Sequence, residues 1–416
     1  MRVLYHHRTQ AEDGQAVHVR SLLRAFESLG HEVWEVGLVK HGTRAPESES
    51  QGAEGQDAAS TSDGSSGRER WGWVTRLPRF ARELAEYGYN GIARRRLVGE
   101  AARFEPDFIY ERYAFGNAAG VLASKRTQRP LILEVNSPMV DELSRTRGLS
   151  FPKFASKLES WIFRSADRVC VVTAVLGDML VELGVERERL LVTPNGVDLD
   201  LYEYGDRAQV RAEARRSLGL PPEEDGEVVL GFTGYYRPWH RLDLALNALL
   251  EPSLERARLV LIGEGPAHEE LEQHALKLGV RDRLTFAGRR PHHAIPGLLP
   301  AFDLALVPAI NPYASPLKLH EYMAASLPTI APDQPNLREV LVDDRDALLV
   351  APDDGDAFGQ AILKLSADGD LRARLGRAAR RTIIEGDMTW EGNARRVCAM
   401  AQELQQERAQ VGQFKQ

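Results

Sequence analysis

The chain reads VVLGFTG over residues 228–234, an apolar run that ends in a Thr-Gly turn. A short apolar run bounded by a turn is typical of a strand buried in a parallel sheet. A helix is predicted at about 242–250, followed by a strand at 259–262 and a Gly-Pro turn at 263–266. Strands that alternate with helices in this way form βαβ units. This part of the sequence therefore predicts a doubly wound α/β domain.

The same alternation opens the chain. Residues 3–5 are apolar, residues 19–29 repeat apolar side chains at helical spacing, and Gly30 is suited to cap that helix. A second strand is predicted over residues 31–38. We therefore predict two doubly wound α/β domains. Ligands of such sheets bind at the carboxyl ends of the strands, so a cleft between the two domains is the expected site.

Breaks in the pattern define the predicted domains. Residues 1–200 form the first and residues 201–390 the second, because Pro, Asn and Gly interrupt the pattern at 194–198. Residues 391–416 are predicted to be helical. The stretch 41–70 is rich in Glu, Ser, Gly and Asp and has no apolar periodicity, so it is predicted to be a flexible loop inserted in the first domain.

Composition excludes several classes of protein. The 416 residues carry a net charge of −7, which gives no general reason to expect nucleic acid binding. Two distant cysteines, Cys170 and Cys398, predict neither a disulfide framework nor a structural zinc site, and they favour a cytoplasmic setting. No apolar run matches a signal peptide or reaches the roughly 20 residues that span a bilayer. Any membrane contact is therefore expected to be peripheral, at the inner face.

One stretch of the first domain is basic and aromatic. Residues 68–103 hold nine arginines and four glutamates, with Trp71, Trp73, Phe80 and Tyr87 among them. Two interpretations remain open. The stretch forms a pair of helices with a solvated basic face, or it forms a surface that contacts anionic lipid or a polyanionic acceptor.

A second stretch carries the features of an anion site. In SPLKLHE, residues 315–321, Ser315 suits a helix N-cap and Pro316 the first helical position. The backbone N–H groups of Leu317 and Lys318 are then free to bind an anion, and Lys318 adds a positive charge. Glu321 lies three residues further on and is suited to accept hydrogen bonds from a ribose diol. The alternative is a capped helix with an internal Lys–Glu pair.

The wider set of motifs resembles glycosyltransferase family 4. The resemblance rests on NGVD at 195–198, FTG at 232–234 followed by RPWH at 237–240, GEGP at 263–266, the block 316–328, and Trp390-Glu391. It implies the GT-B fold, in which two Rossmann-like domains face each other across a cleft and the second binds a nucleotide sugar. It also implies retention of anomeric configuration, no metal or other cofactor, and a last helix, 391–416, that crosses back to the first domain.

The resemblance assigns roles to individual residues. Glu321 is similar to the second acid of the family's paired-glutamate motif, while Tyr313 occupies the position of the first. Arg237, Lys318 and Glu321 are the implied catalytic residues. The implied donor-binding residues are Gly14, Gln15, Gly234, His240, Gly263, Arg290, Ser315, Pro316 and Leu317. Glu134 and Asn136 occupy the acceptor side, although capping of a loop is an equally good interpretation of these two residues.

These observations predict a retaining glycosyltransferase that moves a sugar from a UDP- or GDP-sugar to a glycan, a lipid-linked acceptor or a small molecule. The alternative is a non-catalytic protein of the same fold that binds a nucleotide sugar or glycan, which Tyr313 in place of an acid favours. A Rossmann oxidoreductase is disfavoured, because no G-x-G-x-x-G follows the first strand. Asp198 and Asp200, and the adjacent His292 and His293, are weak metal signals, and no metal site is predicted.

Overall fold

The computed structural model describes residues 1–10, 14–41, 78–221, 223 and 227–413. Apart from His41, the predicted flexible loop at 41–70 lies outside the described residues, as do residues 68–77 of the basic stretch. The chain divides into two compact units. Unit 1 comprises residues 1–171, 176–193 and 393–416, and unit 2 comprises residues 172–175 and 194–392.

Unit 1 is built on a parallel sheet covered by helices. Its strands are β1 Arg2–His6, β2 Glu32–Val36, β3 Phe108–Arg112, β4 Leu131–Val135, β5 Arg168–Val171 and β6 Leu190–Val192, in the order β2-β1-β3-β4-β5-β6. Its helices are α1 Gly14–Ser28, α2 Arg79–Phe104, α3 Ala119–Thr127, α4 Met139–Thr146, α5 Pro152–Ser165 and most of α6 Ala174–Glu182. Every residue of β3 and β4 is buried, as expected for central strands covered on both faces.

Unit 2 repeats this architecture. Its strands are β7 Val228–Thr233, β8 Ala257–Ile262, β9 Leu284–Gly288, β10 Leu304–Leu306, β11 Thr329–Pro332 and β12 Leu348–Val350. Its helices are α7 Arg207–Ser217, α8 Asp243–Ala248, α9 His268–Leu278, α10 Ile295–Leu298, α11 Leu317–Ala324, α12 Pro335–Arg338, α13 Gly355–Ala367 and α14 Gly369–Glu385. The last helix, α15 Trp390–Gln413, belongs to unit 1 from Asn393 onward, where Arg408 contacts Asp167 at 2.7 Å.

The strand orders locate the ligand-binding edges. All neighbouring strands in the two sheets pair in parallel. The second sheet has the order β12-β11-β10-β7-β8-β9, which is the Rossmann order with its switch point between β7 and β10. In the first sheet the corresponding switch lies between β1 and β3. The predicted fold class, two Rossmann-like parallel α/β sheets, is confirmed.

The helix prediction for the basic stretch needs correction. Over its described part the chain forms one continuous helix, α2, and not a pair of helices. Ala93, Leu97, Ala101 and Phe104 are buried at helical spacing, which explains why the helix continues through Gly88 and Gly91. Its opposite face exposes Phe80, Leu84 and Ile92.

A close approach of two turns shapes the carboxyl edge of the second sheet. Gly263 has φ +137°, and a Cβ at this position would lie 2.0 Å from the Gly234 carbonyl oxygen. Only glycine adopts such a φ without strain. The turns after β7 and β8 can therefore approach each other this closely only because Gly263 has no side chain.

Replacing Gly263 with alanine is expected to destabilise unit 2 by about 2 kcal/mol or more, because backbone strain adds to the steric clash. Thermal unfolding followed by circular dichroism measures the change. Gly359→Ala is the matched control, since that glycine lies in α13 with nothing within 4 Å of the added Cβ. The control should be neutral or slightly stabilising, and an equal melting temperature for both variants would contradict this account.

Candidate functional site

The candidate site lies where β7 ends and α11 begins, at the switch point of the second sheet. We call Gly234, Arg237, His240, His292, Lys318 and Glu321 the switch-point site. Helix α11 is tied to β7 by the Thr233 backbone N–H, which donates to the Tyr322 hydroxyl at 2.7 Å. The loop before α11 is fixed by Asn336, whose side-chain amide donates to the Ala314 carbonyl at 2.7 Å. A buried hydrogen bond thus joins the two elements that carry the site, and a partly buried one fixes the loop before α11.

The start of α11 differs by one residue from the prediction. Pro316 occupies the N-cap and Leu317 is the first helical residue, so Ser315 does not cap the helix. The Ser315 hydroxyl instead accepts a hydrogen bond from the Asn195 backbone N–H at 3.1 Å. The correction leaves the anion-binding feature intact, because the N–H groups of Leu317 and Lys318 still lie in the first turn, where the helix offers them no acceptor.

Lys318 supplies a positive charge in a poorly solvated position. Its Nζ lies 3.7 Å from the centroid of the Phe232 ring, and a Cβ on Gly234 would lie 3.2 Å from the same atom. The residue as a whole is partly exposed, but its ammonium group is enclosed by β7 and the turn that follows. Burial lowers the pKa of Lys318 to about 7, and the nearby Glu321 opposes this shift. A bound anion at this position would favour the charged form.

Arg237 and His240 lie in the loop after β7, as predicted. The Arg237 guanidinium carbon lies 4.9 Å from the Tyr235 ring centroid and 4.8 Å from that of Trp239, so the cation is held between two exposed aromatic rings. His240 Nδ1 accepts a hydrogen bond from the Arg237 backbone N–H at 3.1 Å. Burial, Lys318 and Arg237 lower the pKa of His240 to about 3, which keeps it neutral at physiological pH.

Glu321 has a partner that the sequence did not reveal. Its Oε1 lies 2.6 Å from His292 Nε2, and the carboxylate is almost fully buried. The internal Lys318–Glu321 ion pair considered as an alternative does not form among the described residues. His292 follows β9 and lies 29 residues before Glu321 in sequence. No local pattern links the two residues, because only the parallel sheet brings the end of β9 near α11.

Gly14, Gln15, Arg290 and Gly263 were also predicted to bind the donor. Gly14 and Gln15 form the first residues of α1, in unit 1. The Arg290 side chain donates to the Ser217 carbonyl at 3.0 Å, at the end of α7. This bond turns the guanidinium toward α7, and the predicted contact with a nucleobase remains a proposal. Gly263 lies in the turn after β8, next to Gly234.

The predicted acceptor-side residues belong to a buried charged network in unit 1. Glu134, at the end of β4, accepts from the Tyr110 hydroxyl at 2.8 Å and pairs with His18 Nε2 at 3.0 Å. Arg112 and the Asn136 side-chain amide engage its other oxygen. Burial raises the pKa of Glu134, but His18, Arg112 and these hydrogen bonds outweigh it and hold the pKa well below the usual range. Glu134 is therefore a charged anchor for the carboxyl edge of the first sheet.

Glu111 is a further buried charged residue of unit 1, and no role was predicted for it from the sequence. It is fully buried at the end of β3, where its carboxylate pairs with His6 and accepts from the Gly120 backbone N–H at 2.9 Å. The pair lies at the switch point of the first sheet. A signal was present, because Glu111 and Arg112 are charged residues at the end of an otherwise apolar strand.

Two family models match the chain in sequence. Residues 13–201 match the model described as Glycosyltransferase Family 4, and residues 213–382 match Glycosyl transferases group 1. A D-inositol 3-phosphate glycosyltransferase of Xylanimonas cellulosilytica is 30% identical over 295 residues, which are 68% of this chain and 70% of that protein. The chain belongs to glycosyltransferase family 4. A D-inositol 3-phosphate glycosyltransferase of Nocardia farcinica is also 30% identical, over 65% of this chain and 61% of its own length.

Similar solved structures confirm the GT-B fold. Anabaena Alr3699/HepE, crystallised with UDP, superposes with a TM-score of 0.70 at 17% identity and covers 97% of this chain and 100% of its own. A glycosyltransferase from Rickettsia africae gives a TM-score of 0.69 at 15% identity, over 97% of this chain and 98% of its own.

Among the described helices, none combines the length and apolar composition that a bilayer crossing requires.

Proposed function

We propose that this family 4 member is a retaining glycosyltransferase that moves a sugar from a UDP- or GDP-sugar to a glycan, a lipid-linked acceptor or a small molecule. The observation that carries the proposal is the switch-point site. There, two cations, an open helix N-terminus and a buried carboxylate lie together at the edge where Rossmann sheets bind nucleotides. Family membership and the UDP-bound structure of a similar fold support it.

The donor's diphosphate is assigned to the positive end of the site. Arg237, Lys318 and the N–H groups of Leu317 and Lys318 present charge and hydrogen-bond donors where the leaving diphosphate gains negative charge. His240 stays neutral and shapes the loop through its bond to the Arg237 N–H. Gly234 and Gly263 permit the close approach of these elements, and Ser315 holds the loop before α11 by accepting from the Asn195 N–H. Glu321 is assigned to the ribose.

The proposed reaction needs no protein nucleophile and no metal. The bond between the anomeric carbon and the phosphate oxygen breaks, and its electron pair stays on the diphosphate. The acceptor oxygen bonds to the anomeric carbon on the same face, and its proton passes to the departing phosphate oxygen. Arg237 and Lys318 stabilise the diphosphate as its charge develops. Retention of configuration follows from attack on that face.

The acceptor is assigned to unit 1. Glu134 and Asn136 lie at the carboxyl end of β4, where ligands of parallel sheets bind. The relatives are named for an acceptor that carries a phosphate, D-inositol 3-phosphate. The acceptor class here remains a glycan, a lipid-linked molecule or a small molecule. Gly14 and Gln15, at the start of α1, are proposed to reach the donor's diphosphate.

Nucleotide release from a panel of UDP- and GDP-sugars, with and without acceptor extract, tests the function. We expect release with one donor, and NMR of the product should show the anomeric configuration of that donor. The alternative, a non-catalytic binding protein, is favoured by Tyr313 in place of the first acid. Tight nucleotide binding without transfer to any acceptor would support that alternative and contradict the proposal.

We further propose a cytoplasmic protein with peripheral contact at the inner membrane face through residues 68–103, whose described part lies mostly in α2. This helix exposes Phe80, Leu84 and Ile92, and exposed arginines follow at 94–96. Apolar side chains near arginines are suited to an anionic lipid surface. Sedimentation with liposomes that contain anionic lipid is expected to deplete the protein from the supernatant, and Phe80→Ser with Leu84→Ser should restore it. Equal recovery with neutral and anionic liposomes would contradict this contact.

A further inference from the structure

The contact between His292 and Glu321 joins the turn after β9 to helix α11. His292 lies in a one-turn 3₁₀ helix at His292–Ala294, which follows β9, and Glu321 lies in the second turn of α11. The 2.6 Å separation of Nε2 and Oε1 is that of a strong hydrogen bond to a carboxylate. The two side chains differ in exposure, at 39% for His292 and 9% for Glu321. The histidine is thus the solvent-facing member of the pair.

The two carboxylate oxygens of Glu321 are not equivalent. Oε1 is engaged by His292, while no described residue forms a hydrogen bond with Oε2. A glutamate side chain has several rotatable bonds, and fixing it on ligand binding costs conformational entropy. In this protein the Glu321 side chain is already ordered before a ligand binds, because His292 and the surrounding residues hold the carboxylate in place. The free oxygen is therefore presented in a defined position.

We propose that His292 is a positioning residue that orients Glu321 so that Oε2 accepts a hydrogen bond from a hydroxyl of the donor's ribose. The inference rests on the proposed function, since it requires that a nucleotide bind at the switch-point site. It goes further by making His292 responsible for discrimination between nucleotides with and without ribose hydroxyls. A purely structural ion pair would not affect that discrimination.

The effect of removing His292 follows from this role. His292→Ala leaves Glu321 in place but free to rotate, so binding must again order it. We expect the affinity for UDP or GDP to fall about two- to tenfold. The affinity for the 2′,3′-dideoxy nucleotide is expected to stay unchanged, because that ligand offers no hydroxyl to Glu321. The preference for the ribonucleotide therefore shrinks by the same factor.

The experiment is a set of calorimetric titrations with UDP, GDP and their 2′,3′-dideoxy forms. The wild-type chain is compared with His292→Ala, His292→Gln and His293→Ala. Glutamine places an N–H donor near the position of Nε2 and is expected to restore most of the preference. His293→Ala is the matched control, because the adjacent histidine is exposed and forms no hydrogen bond with Glu321. Melting temperatures check that each variant is folded.

The outcomes separate this inference from the function on which it rests. Binding of UDP or GDP by the wild type, with the same ribonucleotide preference in His292→Ala, would overturn the role of His292 alone. Equal weakening of the ribonucleotide and the dideoxy form in His292→Ala would also overturn it, since that result indicates general disruption. Failure of all four ligands to bind the wild type would overturn the proposed function and this inference together.

Discussion

Replacing Lys318 with glutamine is expected to lower kcat/KM for sugar transfer by about 10²- to 10³-fold, the usual effect of removing one preorganised group that stabilises a leaving anion. The same change should weaken nucleoside diphosphate binding. Lys277→Gln is the matched control, because Lys277 is an exposed lysine in the last turn of α9. Steady-state kinetics with the best donor measures the first effect and calorimetry the second.

The pH dependence of binding gives a sharper test of Lys318. Burial lowers the pKa of its ammonium to about 7 in the free protein, and a bound diphosphate raises that pKa. Binding is therefore coupled to proton uptake. The affinity is at its full value below pH 7 and falls as the pH rises from 7 toward the pKa of the bound state, by up to about tenfold per pH unit.

Titrations between pH 6 and pH 9 should show this slope in the wild type and not in Lys318→Gln. Ionisation of the nucleotide itself is common to both proteins and cancels in the comparison. Lys318→Arg should bind without the slope, because the guanidinium stays charged throughout this range. Parallel pH profiles for the wild type and Lys318→Gln would show that Lys318 does not contact the diphosphate.

Replacing Glu321 with alanine is expected to weaken UDP or GDP binding about 10- to 100-fold, since a hydrogen bond to a charged group contributes about 1.5–3 kcal/mol. The affinity of Glu321→Gln should lie between those of the wild type and Glu321→Ala, because glutamine keeps the shape of the side chain and loses its charge. The matched control is Glu270→Ala, an exposed glutamate in α9. Calorimetry measures the affinities, and unchanged binding in Glu321→Ala would place the ribose elsewhere.

The fold was predictable because its signals are local. Apolar runs such as 228–232 and the glycine turns at Gly30 and Gly263 depend on residues close in sequence. The βαβ alternation then predicts parallel sheets joined by right-handed crossovers. The predicted start of α11 was wrong by one residue because that prediction also used only local signals. Ser315 is a good N-cap residue, but its hydroxyl is used by the Asn195 N–H, 120 residues away in sequence.

The site was predictable only in part. Arg237 and His240 lie in the loop after β7 and Lys318 lies in the first turn of α11, so the spacing of the motifs was sufficient to bring the three together. His292 reaches Glu321 through the register of the sheet, and the bond of Arg290 to Ser217 depends on the packing of α7. Such contacts between distant segments leave no periodic signal in a single sequence.

The role of Glu134 shows a different limit. The sequence placed this acid at the end of a strand, where an acceptor-side residue is expected. The structure surrounds it with Tyr110, Arg112, His18 and Asn136, which engage both oxygens. A carboxylate with so many partners is suited to hold a framework together. Sequence indicates the position of such a residue but not the number of its partners.

Calorimetric titration of UDP and GDP into the wild type and into the double variant Lys318→Gln/Glu321→Ala tests the central claim most directly. We expect that one nucleotide binds the wild type at a single site and that the double variant, folded to the same melting temperature range, shows no measurable binding. Retention of wild-type affinity by the double variant, or binding of neither nucleotide to the wild type, would contradict the assignment of the switch-point site to a nucleotide sugar.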